Sequence, residues 1–429
     1  MILKNGDRGS LVSLLQLGLE RSGYNVGTKD GIFGNKTEAA LRAFQSDHGI
    51  ASDGIAGNQT MLKLRQYITG YMAYTIKQGD TLYLLARKYY STVPLIENAN
   101  PGLSAQNLQV GQNIIIPYNF RVVPTDIPYS SLLTELVTEG LAVRYPFISL
   151  STVGRSVMGK HILMLKMGKG EKKVFVNASH HANEWITTPL SLNFAEDLCI
   201  NVTNAGYITG ESAEDMFNQS TLYIVPLVNP DGIDLVTGAI DKSSNFYKEA
   251  QEISSRFPNI PFPSGWKANI KGTDLNLNYP ADWLRARELK FAEGFTTPAP
   301  RDFVGTEPLS AIESKNIFNL TLREDFDITL SLHTQGEEIY WQFKNYATNE
   351  ARALGERLAA VSGYLLTAPA EFSSYAGYKD WFLQNYRRPG YTIEAGRGTN
   401  PLPISDFDKI YPNIEAIISE ALVWDGSEI

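Results

Sequence analysis

The sequence predicts an α/β protein in which a large domain, built on a mostly parallel sheet with helices on both faces, follows two small modules. Three observations predict it. At 429 residues the chain exceeds one ordinary core. Short apolar runs at 147–153, 162–167, 174–178, 222–228, 328–332 and 391–393 alternate with helical stretches, clearest at 132–139, 190–199 and 351–362. The segment 118–130 carries Pro124 and Pro128 between polar residues, reads as an extended linker, and separates this pattern from two different ones before it. The expected boundaries are therefore 1–68, 74–117, linker 118–130 and 131–429.

Composition narrows the function classes. Hydrophobic residues at 43% and charged residues at 20% suit packed cores and argue against disorder. A formal charge of -8 leaves no basic excess for phosphates, so neither nucleic acid nor an anionic membrane is an expected partner. No apolar run approaches the ~18 residues of a membrane span, and residues 1–10 lack the order of a signal peptide, so a cytoplasmic location is expected. The lone cysteine, Cys199, excludes an intrachain disulfide and reads as a core thiol.

In the first module, the segment Asp30-Gly31-Ile32-Phe33-Gly34-Asn35-Lys36-Thr37 returns as Asp53-Gly54-Ile55-Ala56-Gly57-Asn58-Gln59-Thr60. Each copy reads as a turn opening a helix, with Gly34 and Gly57 permitting positive φ and Asn35 with Glu38 spaced as a capping box. Val12, Leu15 and Leu19 form one apolar stripe and Leu41 and Phe44 another, which predicts a miniature three-helix core. Residues 74–117 read instead as strand, helix, helix, strand, with Asp80-Thr81 as a cap, Leu82, Leu85, Ala86 and Tyr89 as a helix face, and 113–117 as the closing strand. So small a unit, with no chemistry of its own, is expected to bind something.

Both modules resemble known families. The first is similar to peptidoglycan-binding domains through Gly6, Gly9 and Asp30-Gly31-Ile32-Phe33-Gly34; the second resembles LysM domains through Gly79-Asp80-Thr81-Leu82 and Asn100-Pro101. The resemblance implies affinity for peptidoglycan or muropeptides, with Gly79, Asp80, Thr81, Leu82, Asn100 and Pro101 as candidate glycan positions; the bland alternative is a pair of spacers.

The chemistry lies in the large domain. Ligands of open α/β sheets bind at the carboxyl ends of strands. Three apolar runs end in suitable residues: 174–178 leads to His180-His181 with Glu184 close behind, 328–332 to His333, and 391–393 to Glu394. A catalytic zinc takes three N or O ligands and leaves one position open. His181, Glu184 and His333 are the expected ligands of one Zn2+ per chain, and Glu394 is the expected base. His-x-x-Glu alone is weak; its conjunction with two further strand ends carries the reading.

These residues resemble the metallocarboxypeptidase family over residues 118–429, through His181-Ala182-Asn183-Glu184, Asn229-Pro230-Asp231-Gly232, Leu332-His333-Thr334 and Asp380-Trp381 ahead of Glu394. The resemblance implies a mixed, mainly parallel eight-stranded sheet with zinc at one edge. It implies that Asp274 accepts a hydrogen bond from the first zinc histidine and that Asn276 binds substrate. Two positions depart from the family. Leu277 stands where an arginine usually clamps the substrate's terminal carboxylate, and Lys267 follows Trp266 where an oxyanion-stabilising arginine is usual, with Lys271 as substitute candidate. Leucine holds no carboxylate, so a digestive-type carboxypeptidase is not expected. Arg397 is offered instead as a contact for a stem-peptide carboxylate, against a plain salt bridge. For the family's phenol, counting back from Asp380 lands on Phe372, and nearby Tyr375 is the candidate.

Wall-binding modules plus a domain lacking that arginine most resemble the γ-D-glutamyl-diaminopimelate peptidases of spore-forming bacilli. The expected activity is zinc-dependent hydrolysis of the γ-D-glutamyl-meso-diaminopimelate bond. The alternatives are a zinc amidase acting on other wall amides and a wall-binding protein without catalysis.

Overall fold

The computed structural model describes residues 2–369 and 374–426. By contacts the chain falls into two compact units, Met1–Ile127 with Leu132–Leu150, and Pro128–Ser131 with Ser151–Ile429. By contacts, residues 132–150 group with the amino-terminal unit. The reason is local. On the helix Ser131–Arg144, Glu139 accepts a hydrogen bond from Tyr71 at 2.7 Å, and a Cβ at Gly140 would lie 2.1 Å from the Thr69 carbonyl oxygen. Only glycine permits that approach.

The amino-terminal unit opens with helices Ser10–Arg21, Asn35–Asp47 and Asn58–Thr69 around buried Val12, Leu15, Leu19, Leu41, Phe44, Leu64 and Ile68. The repeated turns work differently from the expectation. Positive φ belongs to Gly31 (71°) and Gly54 (70°), whereas Gly34 and Gly57 are extended helix caps. The capping box does not form: Asn35 and Glu38 both accept from Asn5, and Glu38 also accepts from Arg42. Each turn is instead latched by a buried glutamine. The Gln16 amide accepts from Gly31 N at 2.9 Å and donates to Asp30, Ile32 and Thr37, and Gln45 repeats this with Gly54, Asp53, Ile55 and Thr60.

Next, strands β1 (Tyr71–Thr75) and β2 (Asn113–Pro117) pair antiparallel and flank helices Leu82–Lys88 and Val93–Ala99. Thr81 and Thr92 cap these helices through side-chain oxygens. Ile76, Leu82, Leu85, Ile96, Ile114 and Ile116 make the core.

The second unit is organised on one eight-stranded sheet. Its strands are β3 (Ser149–Arg155), β4 (His161–Gly168), β5 (Lys172–Ala178), β8 (Ser220–Val225), β9 (Ile328–His333), β10 (Glu338–Tyr340), β11 (Leu365–Thr367) and β12 (Gly390–Glu394); β6 (Tyr207–Ile208) and β7 (Glu211–Ser212) form a separate hairpin. The order is β11-β10-β12-β9-β5-β8-β4-β3. The run β12-β9-β5-β8 is parallel, while β10 meets β12 and β4 meets β8 antiparallel. This is the mixed, mainly parallel architecture expected. β8 and β9 are buried at every position, as central strands covered on both faces require. Phe175 of β5 stacks on Phe326 at 4.4 Å, and Tyr223, Tyr378, Trp381 and Phe382 extend this aromatic core. Strands β10 and β11 escaped sequence detection because three residues give no readable period.

The glutamine latch is testable. Gln16→Leu leaves the Gly31 amide, Asp30 and Thr37 without this partner, and should destabilise the first module by about 1–3 kcal/mol. Amide hydrogen exchange over residues 10–47 should accelerate, while fluorescence from the six tryptophans, all beyond residue 180, reports the second unit unchanged.

Candidate metal centre

The register of three parallel strands assembles the centre. Leu332 of β9 pairs with Ala178 of β5, and His333 pairs with Glu394 of β12, so the three carboxyl ends lie level at one sheet edge. Beyond β5 the chain turns through Ser179, held at φ 56°, and His181 caps a short 3-10 turn, Ala182–Glu184, that brings Glu184 back beside it.

The donor atoms converge. His181 Nδ1 lies 2.9 Å from Glu184 Oε1, His333 Nδ1 lies 2.9 Å from Glu184 Oε2, and the two Nδ1 atoms are 3.0 Å apart. All three side chains are buried, and one ligand atom from each lies within 4.8 Å of the others. On its far side, His181 Nε2 lies 3.1 Å from Asp274 Oδ1. A carboxylate there accepts the Nε2 proton and leaves the Nδ1 lone pair facing the shared point. Two imidazoles and a carboxylate with one side open fit a catalytic zinc.

Electrostatics match this geometry. Burial alone would raise the Glu184 carboxyl, but His181, Lys267 and His333 outweigh it and hold it well below the usual range. Asp274 is held low in the same way, against burial, by His181 and Lys267. Glu394 goes the other way: burial, then the neighbouring Glu184 charge, push it up to about 8. A dication at the shared point would draw it back down.

These residues face a cavity of about 360 Å³ that is lined by His181, Lys267, Asp274, Asn276, Leu277 and Glu394. Lys267 Nζ sits 3.7 Å from Glu184 Oε1, and Asn276 Nδ2 lies 3.4 Å from His333 Nε2 while its carbonyl accepts from Tyr378 N at 3.0 Å. Lys271 points away and pairs with Glu249.

Two further sequence candidates are not brought to this cleft. Arg397 is 73% exposed and bonds Glu337 at 2.5 Å, so the plain ion pair describes it. Tyr375 packs against Phe343 and lines a different groove with Asp282 and Trp283. Phe372 lies outside the described residues. The phenol that does line the cleft is Tyr340, on the short β10 and bonded to Glu338 at 2.6 Å. Arg301, Lys290 and Lys379 also line it. None was readable beforehand, because each sits on a helix or loop whose distance from the strand ends carries no signal in sequence.

The LysM-like signature is likewise occupied by folding. Leu82 is core, Thr81 caps a helix, Asp80 accepts from Tyr74 and Lys77, and Gly79 takes φ 86°. Asn100, ahead of Pro101, donates to Ile96 and Ile115 and accepts from Ile115 N. These groups therefore shape the module, while Tyr83, Leu84, Tyr90 and Val110 are its exposed large apolar side chains.

A mixed sheet carrying a buried His-Glu-His set and a half-buried acid at its carboxyl edge defines a metal-dependent hydrolase. The chain belongs to the zinc carboxypeptidase family, whose pattern it matches over residues 135–412, and is a zinc metallopeptidase. It also matches the putative peptidoglycan binding domain at 8–64 and the LysM domain at 74–117. Gamma-D-glutamyl-L-diamino acid endopeptidase 1 of Lysinibacillus sphaericus is 40% identical, across 78% of this chain and 96% of that protein. The uncharacterized protein YqgT of Bacillus subtilis is 40% identical across 65% of this chain and 73% of its own length. Among solved structures, bovine thrombin-activatable fibrinolysis inhibitor in complex with tick carboxypeptidase inhibitor shares the fold, with a TM-score of 0.53 at 19% identity over 70% of this chain and 97% of that one.

Removing a donor should remove the metal. His333→Ala is expected to retain no stoichiometric zinc by elemental analysis after dialysis. Asp274→Asn should bind zinc about 10–100-fold more weakly in chelator competition. Full zinc content in His333→Ala would dismiss the site.

Proposed function

We propose that the protein hydrolyses the γ-D-glutamyl-meso-diaminopimelate bond of peptidoglycan stem peptides, using one zinc ion held by His181, Glu184 and His333. The observation that carries this reading is the convergence of those three side chains on one point, beside a cleft lined by His181, Glu394 and Lys267. The choice of substrate is supported by the two amino-terminal modules, by the name of the Lysinibacillus relative, and by Leu277 lining the cleft. An apolar side chain there favours cleavage that does not depend on a free carboxylate at the usual place.

Zinc supplies Lewis acidity toward a carbonyl oxygen and a water. The chain's own groups do the rest. Glu394, at the end of β12, takes a proton from the attacking water and returns it to the departing amine nitrogen, so one water is consumed as the C–N bond breaks. Lys267 donates to the oxygen that gains charge; its own charge survives burial because Glu184 and Asp274 face it. Asn276, fixed by its bond from Tyr378 N, presents its amide to the substrate. The small modules hold the enzyme on wall polymer through their exposed apolar side chains.

Digestion of purified disaccharide-peptides, followed by mass analysis, tests the bond. The expected product carries a new diaminopimelate amine; a freed lactate or small acid would identify an amidase. Glu394→Gln should keep its zinc and lose about 100-fold or more in kcat. Arg397→Ala should stay within about twofold of wild type, as an exposed ion pair predicts.

A further inference from the structure

Among the described residues, one cationic group that lines the cleft keeps hydrogen-bond donors that neither the metal centre, the chemistry above nor an ion pair employs. Four cations line the cavity: Lys267, Lys290, Arg301 and Lys379. Lys290 is neutralised by Glu293 and Asp302, each at 3.0 Å. Lys379 is buried against Asp380 at 2.5 Å and donates to the Gln342 carbonyl at 2.6 Å. Lys267 faces Glu184. Arg301 donates only through Nε, to Asp302 Oδ2 at 2.6 Å; among the described residues neither terminal amino group has a hydrogen-bond partner.

The backbone around Arg301 is tied to the catalytic machinery on both sides. The Pro300 carbonyl accepts from Lys267 N at 2.7 Å and Ala268 N at 2.9 Å. Asp302 N donates to Asp274 Oδ2 at 3.2 Å, and the Phe303 carbonyl accepts from Asp274 N at 2.8 Å. Asp302 itself is held at φ 64°, an uncommon conformation for a residue with a side chain, which aims its carboxylate at Arg301 Nε and Lys290. A guanidinium held at Nε, with its outer fork open to a cleft, matches a carboxylate bidentately, as an ammonium cannot. Its charge reaches the centre, acting on Lys267, Glu184 and Asp274.

We infer that Arg301 binds a substrate carboxylate beside the scissile bond, taking over from another direction the anchoring that Leu277 cannot provide. The inference rests on the proposed substrate class, whose stem peptides carry side carboxylates on γ-linked D-glutamate and on diaminopimelate. Arg301 is thus a specificity residue.

The test uses the zinc-loaded full chain and three tripeptides: L-Ala-γ-D-Glu-meso-diaminopimelate, the same peptide amidated at the glutamate α-carboxylate, and the same peptide amidated at diaminopimelate. Arg301→Gln should lose about 10–100-fold in kcat/KM on the unmodified peptide, mainly through KM, as loss of a charged hydrogen bond predicts. It should match wild type within about twofold on whichever amide lacks the recognised carboxylate, which tells the two sources apart. Arg301→Lys should recover part of the loss. An equal loss on all three peptides, or loss of zinc from Arg301→Gln, would overturn the assignment. If wild type cleaves none of them, the proposed bond is wrong, and calorimetric titration with glutarate decides Arg301 separately. Weaker binding by Arg301→Gln supports the role, and an unchanged Kd rejects it.

Discussion

The site depends on strand register. Because β5, β9 and β12 run parallel with Ala178, Leu332 and Ile393 in line, the residues that follow them emerge at one level of one edge. A shift of one residue in β12 would turn Glu394 to the opposite face of the sheet. The full burial of β8 and β9 and the Phe175–Phe326 stack therefore do more than stabilise, since they hold the register in which His333 and Glu394 face each other.

Around that edge the protein buries an unusual density of charge, which is costly unless every group is compensated. Compensation here is arranged in shells. Glu184 is surrounded by two imidazoles and Lys267; Asp274 supports His181 and is itself held by the amides of Asn276 and Asp302; Asp302 receives Arg301 and Lys290. Glu394 differs: among the described residues no hydrogen bond or ion pair holds its carboxyl, and Lys267 and His181 offset the burial only in part. Burial and the neighbouring Glu184 charge raise its proton affinity.

The amino-terminal modules show a different use of polar residues. The glutamine latches at Gln16 and Gln45 explain why the Asp-Gly turns repeat, since each turn needs one amide to collect its inward-facing groups. In the following module, Thr81 and Asn100 play the same part for helix ends and a strand. Recurrent motif residues here define shape, through caps and turn contacts.

The sequence by itself determined the elements whose signal is local. Apolar runs marked the long strands, and the residues directly following them, His181, Glu184, His333 and Glu394, were legible because sheet topology sends strand ends to a common edge. Asp274, Asn276 and Lys267 became legible only through motif resemblance, since nothing in their own spacing points to a metal. Tertiary structure alone decided the rest. It set Gly140 against the Thr69 carbonyl, gave positive φ to Gly31 rather than Gly34, sent Arg397 to Glu337, and brought Arg301 and Tyr340 into the cleft. The reason is physical. Periodicity and strand ends are properties of neighbouring residues, whereas ion pairing and cavity lining depend on which distant loops the packed sheet brings within a few ångströms of each other.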